Sequence, residues 1–472
     1  MAYTTIDKPT DYFNTVLYTG NGTDNHSITG VNFQPDFVWI KPRNESRGHH
    51  LQDAIRGVNG ALISNENSAE YTGLTNVIKS FDSDGFTLGT SNDVNKSSNT
   101  HVAWNWLAGG SAPAITYTVK VVSDSGNKYR FDDFGTSAVT LDLQEGGTYT
   151  FDQSDSSNSG HPLRFSTTSN GTHGGGSEYT TGVTTTGTPG SAGAKTVITV
   201  AASAPTLYYY CTQHSGMGGQ ANTNSTFGSS NFSGSIQANV SANTTAGFSI
   251  VSYTGTDSVN TIGHGLGSKP KMIIVKDRDA ANDWFVYAEA IGYSMSAPDP
   301  ETDYLKLNST DARVDNNTLW NDTAPTSSVF TIGTNGNINT TGNDYIAYCF
   351  AEKKAYSKFG SYTGNGNNDG TFIFTGFKPA WVLIKRTDTT SDWLLFDNKR
   401  AYSYNLISAT LKPNTNASED TNGAYNNTDF ISNGFKLRQS NGDLNASGGT
   451  YIYMAFAENP FVSSEGIPCT AR

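Results

Sequence analysis

The 472-residue sequence is short of several things, and each shortage excludes a class. Cysteine occurs three times (Cys211, Cys349, Cys469), too few for a disulfide framework in so long a chain. Only 15% of residues are charged, with 30 Lys and Arg against 42 Asp and Glu, a net charge of −12. No basic cluster is present, and phosphate backbones are bound by clustered Lys and Arg, so no nucleic-acid partner is expected. No run approaches 18 apolar residues, so no membrane insertion through a helix is expected either. The N-terminal Met-Ala-Tyr-Thr-Thr-Ile-Asp-Lys-Pro lacks the apolar centre of a secretory signal, and the chain reads as one that folds in a reducing cytoplasm. Runs rich in Ala, Leu, Glu and Lys are missing, which argues against a helical bundle.

What is present is glycine (49 residues) and an aromatic content of 12%, with 24 Tyr, 24 Phe and 7 Trp. So much large apolar surface offsets chain entropy and excludes a disordered chain. Short β-branched and aromatic runs alternate with Gly, Asn and Asp turns, which indicates an all-β chain of sandwich or jelly-roll domains.

Internal repetition organises the sequence. Tyr-Thr-Gly occurs at Tyr18, Tyr253 and Tyr362, each followed by a Pro-led apolar run ending in Lys, and a further copy at Tyr71 lacks that sequel. These runs are Pro35-Asp-Phe-Val-Trp-Ile-Lys41, Pro270-Lys-Met-Ile-Ile-Val-Lys276 and Pro379-Ala-Trp-Val-Leu-Ile-Lys385. Each unit closes on an aromatic strand, beginning at Val102, Tyr345 and Tyr451. The last two starts lie 109 residues apart and the first two 235, so an additional domain is expected between the first and second repeats. The expected layout is a repeat over 1–112, an insert over 113–221, a polar linker over 222–246, and repeats over 247–355 and 356–472. Asp82-Ser-Asp84-Gly85 reads as a hairpin turn and not a calcium loop, because no bidentate Glu follows at loop spacing. Leu51-Gln-Asp-Ala-Ile-Arg56 reads as one short helix.

The repeats resemble a repeat found in structural and tail-fibre-like proteins of bacteriophages, marine phages especially. Tyr18-Thr-Gly-Asn-Gly, Ser241-Ala-Asn-Thr-Thr-Ala-Gly-Phe248, Gly263-His-Gly-Leu-Gly267 and Ala455-Phe-Ala-Glu-Asn-Pro-Phe461 carry the resemblance. It implies a virion component made in the host cytoplasm and exposed on the particle surface. The partners it implies are other virion proteins, a host cell-surface glycan or protein receptor, and further copies of the chain, a trimer among the options.

The insert holds the one constellation with site chemistry. Tyr208-Tyr-Tyr-Cys211-Thr-Gln-His214-Ser-Gly-Met217-Gly-Gly219 stands near its end, and Gly160-His161-Pro lies about fifty residues upstream. A thiolate and an imidazole three residues apart, on the loop after a strand, reach one metal from the same side. A second imidazole from another strand completes a trigonal plane, and a thioether is the usual weak axial ligand at blue-copper sites. This arrangement resembles the cupredoxin family, typified by plastocyanin and pseudoazurin, and Val139-Thr-Leu-Asp-Leu-Gln-Glu-Gly-Gly-Thr-Tyr-Thr-Phe151 resembles that family's central hairpin. The resemblance implies a Greek-key sandwich with His161, Cys211 and His214 as equatorial copper ligands. The family's axial Met lies five residues after the His, where this chain has Gly219, so Met217 either ligates weakly or packs beside the loop. Zinc suits the same donors, and the alternative is a pair of retained core residues that bind no metal.

His49 and His50, near Asp53, read as surface polar residues, since neighbours on a strand point to opposite faces. Cys349 reads as a small buried residue. No nucleophile elbow, His-Glu-x-x-His or phosphate-cradling loop occurs, and no enzyme activity is expected. The leading function is a virion structural protein of a tail fibre or surface appendage that contributes to host attachment. The alternatives are a capsid decoration or head-fibre protein, a copper-binding redox module and a polysaccharide depolymerase.

Overall fold

The computed structural model describes residues 3–223, 228–294, 299–401, 405–421 and 427–469. Strands dominate, and the α-helices among these residues are the single turns Asn92–Asn95, Gly336–Asn339 and Gly442–Asn445. The chain is all-β, built of packed sheets. It divides into two compact units, one of residues 1–108, 242–259 and 266–472 and the other of 109–241 and 260–265. The three repeats therefore form one unit in place of the three separate domains expected, and the insert forms the other.

Within the repeat unit, each Tyr-Thr-Gly ends a strand that pairs with the closing aromatic strand: Phe13–Thr19 with Thr100–Trp106, Phe248–Thr254 with Asp344–Phe350, and Ser357–Thr363 with Thr450–Pro460. The closing strand pairs on its other side with the Pro-led run, namely Phe37–Pro42, Met272–Asp277 or Phe377–Arg386. Registers correspond across repeats, because Tyr18, Tyr253 and Tyr362 stack on His101, Tyr345 and Tyr451 with centroids 4.9, 5.1 and 4.8 Å apart.

The motif has a hydrogen-bonding cause. The three Tyr hydroxyls donate to the carbonyls of Val94, Ile338 and Leu444 at 2.7, 2.9 and 2.8 Å. The residue after each carbonyl is a fully buried Asn (Asn95, Asn339, Asn445). Its amide oxygen accepts the N–H of Asn21, Thr256 or Asn365, and its NH₂ donates to two further loop carbonyls. The Gly of the motif must be Gly: a Cβ on Gly20, Gly255 or Gly364 would lie 2.2–2.3 Å from a carbonyl oxygen of that turn.

Packing explains why each Pro-led run is apolar at four or more successive positions. Phe37 and Trp39, Met272 and Ile274, and Trp381 and Leu383 share one core common to all three repeats. The alternate residues Val38 and Ile40 face a second core with Phe86 and Leu88, and Val382 and Ile384 face a third with Phe430 and Phe435. These strands are buried on both faces, so the half-buried alternation of a separate sandwich is lost. The repeats also interlock cyclically. Glu70 N–H donates to Arg278 O (2.8 Å), Arg313 N–H to Thr387 O (3.0 Å) and Glu419 N–H to Arg43 O (2.7 Å), which closes a three-membered ring within one chain.

Two local expectations are corrected. The 51–56 segment is not helical, because His50–Asp53 is a strand and Asp53 Oδ1 then accepts the N–H of Arg56 at 2.9 Å. His49 and His50 are buried, not surface residues. They do point apart: His49 Nδ1 accepts from Trp39 Nε1 at 3.0 Å, while His50 lies near Asp93. The Asp82–Gly85 turn is a hairpin, with Gly85 at φ 149° and Asp84 accepting the N–H groups of Gly30 and Asn32. Cys349 is buried, and burial pushes its thiol pKa up.

The terminal lysines of the three runs, Lys41, Lys276 and Lys385, are fully buried, and burial pushes each ammonium down to about 8. Each Nζ is held by carbonyls, with Pro42 O at 2.8 Å, Asp277 O at 2.7 Å and Ser391 O at 2.6 Å. A lysine whose folded value lies below its unfolded one binds fewer protons when folded, so stability rises as pH increases from about 8 towards 10.5. The gain expected between pH 7.5 and 9.5 is roughly 1–2 kcal/mol per lysine. Urea midpoints at the two pH values check this. Lys385→Met is expected to remove about a third of the rise, and a midpoint that is flat or falling would contradict it.

The second unit has two five-stranded sheets. One runs in the order Asn127–Phe131, Ala114–Ser123, Thr148–Asp152, Lys195–Thr199, Val183–Thr186; the other runs Leu141–Asp142, Gly219–Asn222, Leu207–Cys211, Leu163–Ser166, Glu178–Tyr179. A single core with Tyr117, Phe131, Phe151, Phe165 and Tyr209 lies between them. The 222–246 segment is not a linker, because it contains the strands Ser229–Asn231 and Ala238–Asn243. Its polarity is used internally: Ser229 Oγ pairs with Tyr149 OH at 2.7 Å, Ser230 Oγ accepts Asp142 N–H at 2.8 Å, and Phe232 packs on Tyr117 and Phe131.

Candidate metal centre

Strand register builds the site. Leu163 pairs with Cys211, so His161, two residues before its strand, arrives beside the thiol that ends the neighbouring strand. His214 follows on the turn after Cys211. Cys211 Sγ lies 3.9 Å from His161 Nδ1 and 3.7 Å from His214 Nδ1, with the two rings 4.6 Å apart. One ligand atom from each of the three residues falls within 4.8 Å of the others, and among the described residues no other trio of His, Cys, Asp or Glu donors does so. The sulfur is buried, His161 is half-buried and His214 is exposed, so the pocket opens on the His214 side.

These separations fit a metal. Bonds of about 2.0 Å to nitrogen and about 2.3 Å to sulfur, meeting near 120°, place their outer atoms about 3.7 Å apart. Burial, and then the neighbouring His214 imidazole, lower the pKa of His161 below its ordinary value, the direction that favours the neutral imidazole a metal binds.

The surroundings hold the donors in place. The carbonyl of His161 accepts from Tyr129 OH and from Gln153 Nε2, both at 2.9 Å, and its N–H donates to Asn158 O at 2.8 Å. Asn170 takes up the loop after His214, donating to Ser215 Oγ and accepting Gly216 N–H, both at 2.8 Å. His173 Nε2 lies 3.1 Å from Cys211 O. Sequence reasoning missed Tyr129, Gln153, Asn158, Asn170 and His173, which are scattered over more than forty residues and share no pattern. Met217 is buried in the same core as Cys211, and its carbonyl accepts Tyr129 N–H at 3.0 Å. Gly219 has no room for a ligand, because a Cβ there would lie 2.7 Å from Ala138 O and 2.8 Å from Tyr209 OH.

No curated protein and no solved structure matches this chain. A family model described as "Domain of unknown function (DUF7483)" matches residues 8–138 and 220–460, which leaves His161, Cys211, His214 and Met217 in the stretch between the matched segments. With more than three quarters of its length matched, the chain belongs to the DUF7483 family.

Proposed function

We propose that the protein is a non-enzymatic structural display protein whose second unit binds one copper ion through Cys211, His161 and His214. The observation that carries the metal reading is the convergence of one buried sulfur and two Nδ1 atoms at ligand spacing. Thiolate and imidazole donors select copper or zinc over hard cations, and copper binds more tightly wherever both are available. When bound, copper would supply one-electron redox chemistry. The residues themselves hold the ion, exclude water on the Cys211 side and leave the His214 edge accessible. The sandwich, the loop order and the ligand spacing support a cupredoxin-like reading, with Met217 as the neighbouring thioether. Equilibrium dialysis of the whole protein is expected to retain one copper per chain. Cys211→Ala is expected to weaken retention at least 100-fold, and unchanged retention in that variant would reject the site.

The setting proposed for this module is the surface of a phage particle, in a tail fibre or similar appendage that contributes to attachment, with a capsid decoration as the alternative. Repeat motifs resembling those of phage structural proteins support this setting, as does a repeat unit locked into a ring by backbone hydrogen bonds, which suits a rigid exterior part. Antibody labelling of purified particles tests it: label on the tail or head surface is expected, and its absence from particles would overturn the reading.

A further inference from the structure

The first repeat contains a cavity of about 450 Å³, in the roughly 300–1,000 Å³ range of small-molecule sites. Ile63, Leu74 and Val77 line it with apolar surface, and Tyr71, 45% exposed, adds an aromatic ring. Against these stand His50, Glu66 and Asp93. His50 is only 9% exposed, yet its Nδ1 has no hydrogen-bond partner among the described residues, and its Nε2 is 3.8 Å from Asp93 Oδ2. Asp93 is already paired with Arg47 at 2.6 Å, and the Glu66 carboxylate accepts from the hydroxyls of Tyr71 (2.9 Å) and Ser68 (3.2 Å).

Comparison with the other repeats makes His50 unusual. The strands pair alike, with Leu51 opposite Trp39, Val286 opposite Ile274 and Leu395 opposite Leu383, so His50 corresponds to Phe285 and Leu394. Both of those are buried apolar residues. A buried polar atom without a partner carries a desolvation cost, and only this repeat bears it at this position, beside a cavity. A ligand in the cavity faces the His50 ring and the carboxylates of Glu66 and Asp93, which only accept, so hydroxyls that both donate and accept suit this lining. It must also offer an apolar face to the Tyr71 ring and the aliphatic wall.

We infer that this cavity binds a short saccharide of one or two rings, with hydroxyls directed at His50, Glu66 and Asp93 and a C–H face against Tyr71. A simple cation is disfavoured because Arg47 already neutralises Asp93. The inference names a site where the attachment reading names none, and it stands on the cavity's own chemistry. The test titrates the whole protein with methyl α- and β-pyranosides of glucose, galactose, mannose and N-acetylglucosamine, followed by saturation-transfer NMR and calorimetry. At least one is expected to bind with a low-millimolar Kd. Tyr71→Ala is expected to weaken it tenfold or more. His50→Phe, which installs the second repeat's residue, is expected to abolish it while the protein unfolds at an unchanged urea concentration. No binding by any glycoside would overturn the inference, as would binding unaffected by both variants or binding of methylamine instead. Particle labelling is a separate readout, so a failure here is distinguishable from a failure of the virion setting.

Discussion

Asp397→Ala is expected to destabilise the repeat unit by about 3–5 kcal/mol, the usual cost of breaking a buried ion pair by removing one partner. Asp397 is fully buried and accepts from Arg400 Nε at 2.6 Å, from Trp104 Nε1 at 2.9 Å, and from the N–H groups of Lys399 and Arg400. Trp104 belongs to the first repeat and Asp397 to the third, so one substitution breaks a turn and a link of the ring together. The first repeat has the same device: Asp53 holds Arg56 at 2.5 Å and accepts from Tyr348 of the second repeat at 2.7 Å. Glu70 and Glu419 complete the two sets, each bridging its own repeat's Arg to Arg278 or Arg43 of a neighbour. In the second repeat the corresponding residues are Ala288 and Ile291, and the donor position on the third repeat is Met454, all in the shared apolar core. One of the three interfaces is thus apolar where two are ionic. The double variant Asp397→Ala/Arg400→Ile is therefore expected to be more stable than Asp397→Ala alone by about 2 kcal/mol, because it removes a buried charge that has lost Asp397 and keeps only Glu419. Urea unfolding of both variants checks the pair, and a double variant less stable than the single would contradict the symmetry argument.

Asn339→Ala is expected to cost about 2–4 kcal/mol. The side chain is fully buried and satisfies three backbone groups, Thr256 N–H at 2.8 Å, Ser258 O at 2.7 Å and Gly333 O at 2.6 Å. Removing it leaves these without their side-chain partner, at roughly 1 kcal/mol or more each. Asn339→Asp is expected to be no better, since a carboxylate retains the acceptor, loses both donors and buries a charge. Thermal unfolding distinguishes this from a surface substitution such as Asn337→Ala, which is expected to change stability by less than about 0.5 kcal/mol.

Much of this was legible in the sequence, for reasons that differ by residue. The Tyr-Thr-Gly period exposed the repeats because each motif residue has a fixed partner: a stacking ring, a turn carbonyl and a position with no space for a Cβ. The buried Asn of each repeat was visible only as an unremarked polar residue, since nothing local distinguishes a buried amide from an exposed one. Each repeat reads as a sandwich of its own, and the sign that the three merge into one unit lies in the apolar runs. A run such as Trp381-Val-Leu-Ile has no polar face, and that continuity is the signal of burial on both sides. The Cys211 and His214 pair was legible from spacing. The residues that hold it, Tyr129, Gln153, Asn158 and Asn170, were not, because they belong to separate strands and loops and share no pattern. The Ser- and Asn-rich 222–246 segment misled by composition: its hydroxyls meet partners inside the sandwich, where they pair like any other buried polar group.

The central claim is that one sulfur and two imidazoles of the second unit hold a single copper ion. X-ray absorption at the copper edge of the loaded, full-length protein tests it most directly, because it reads the bound atoms themselves. The account predicts one sulfur at about 2.3 Å and two imidazole nitrogens at about 2.0 Å, with the sulfur lost in Cys211→Ala. A shell of nitrogen and oxygen alone in the unaltered protein, or one that Cys211→Ala leaves unchanged, would contradict it.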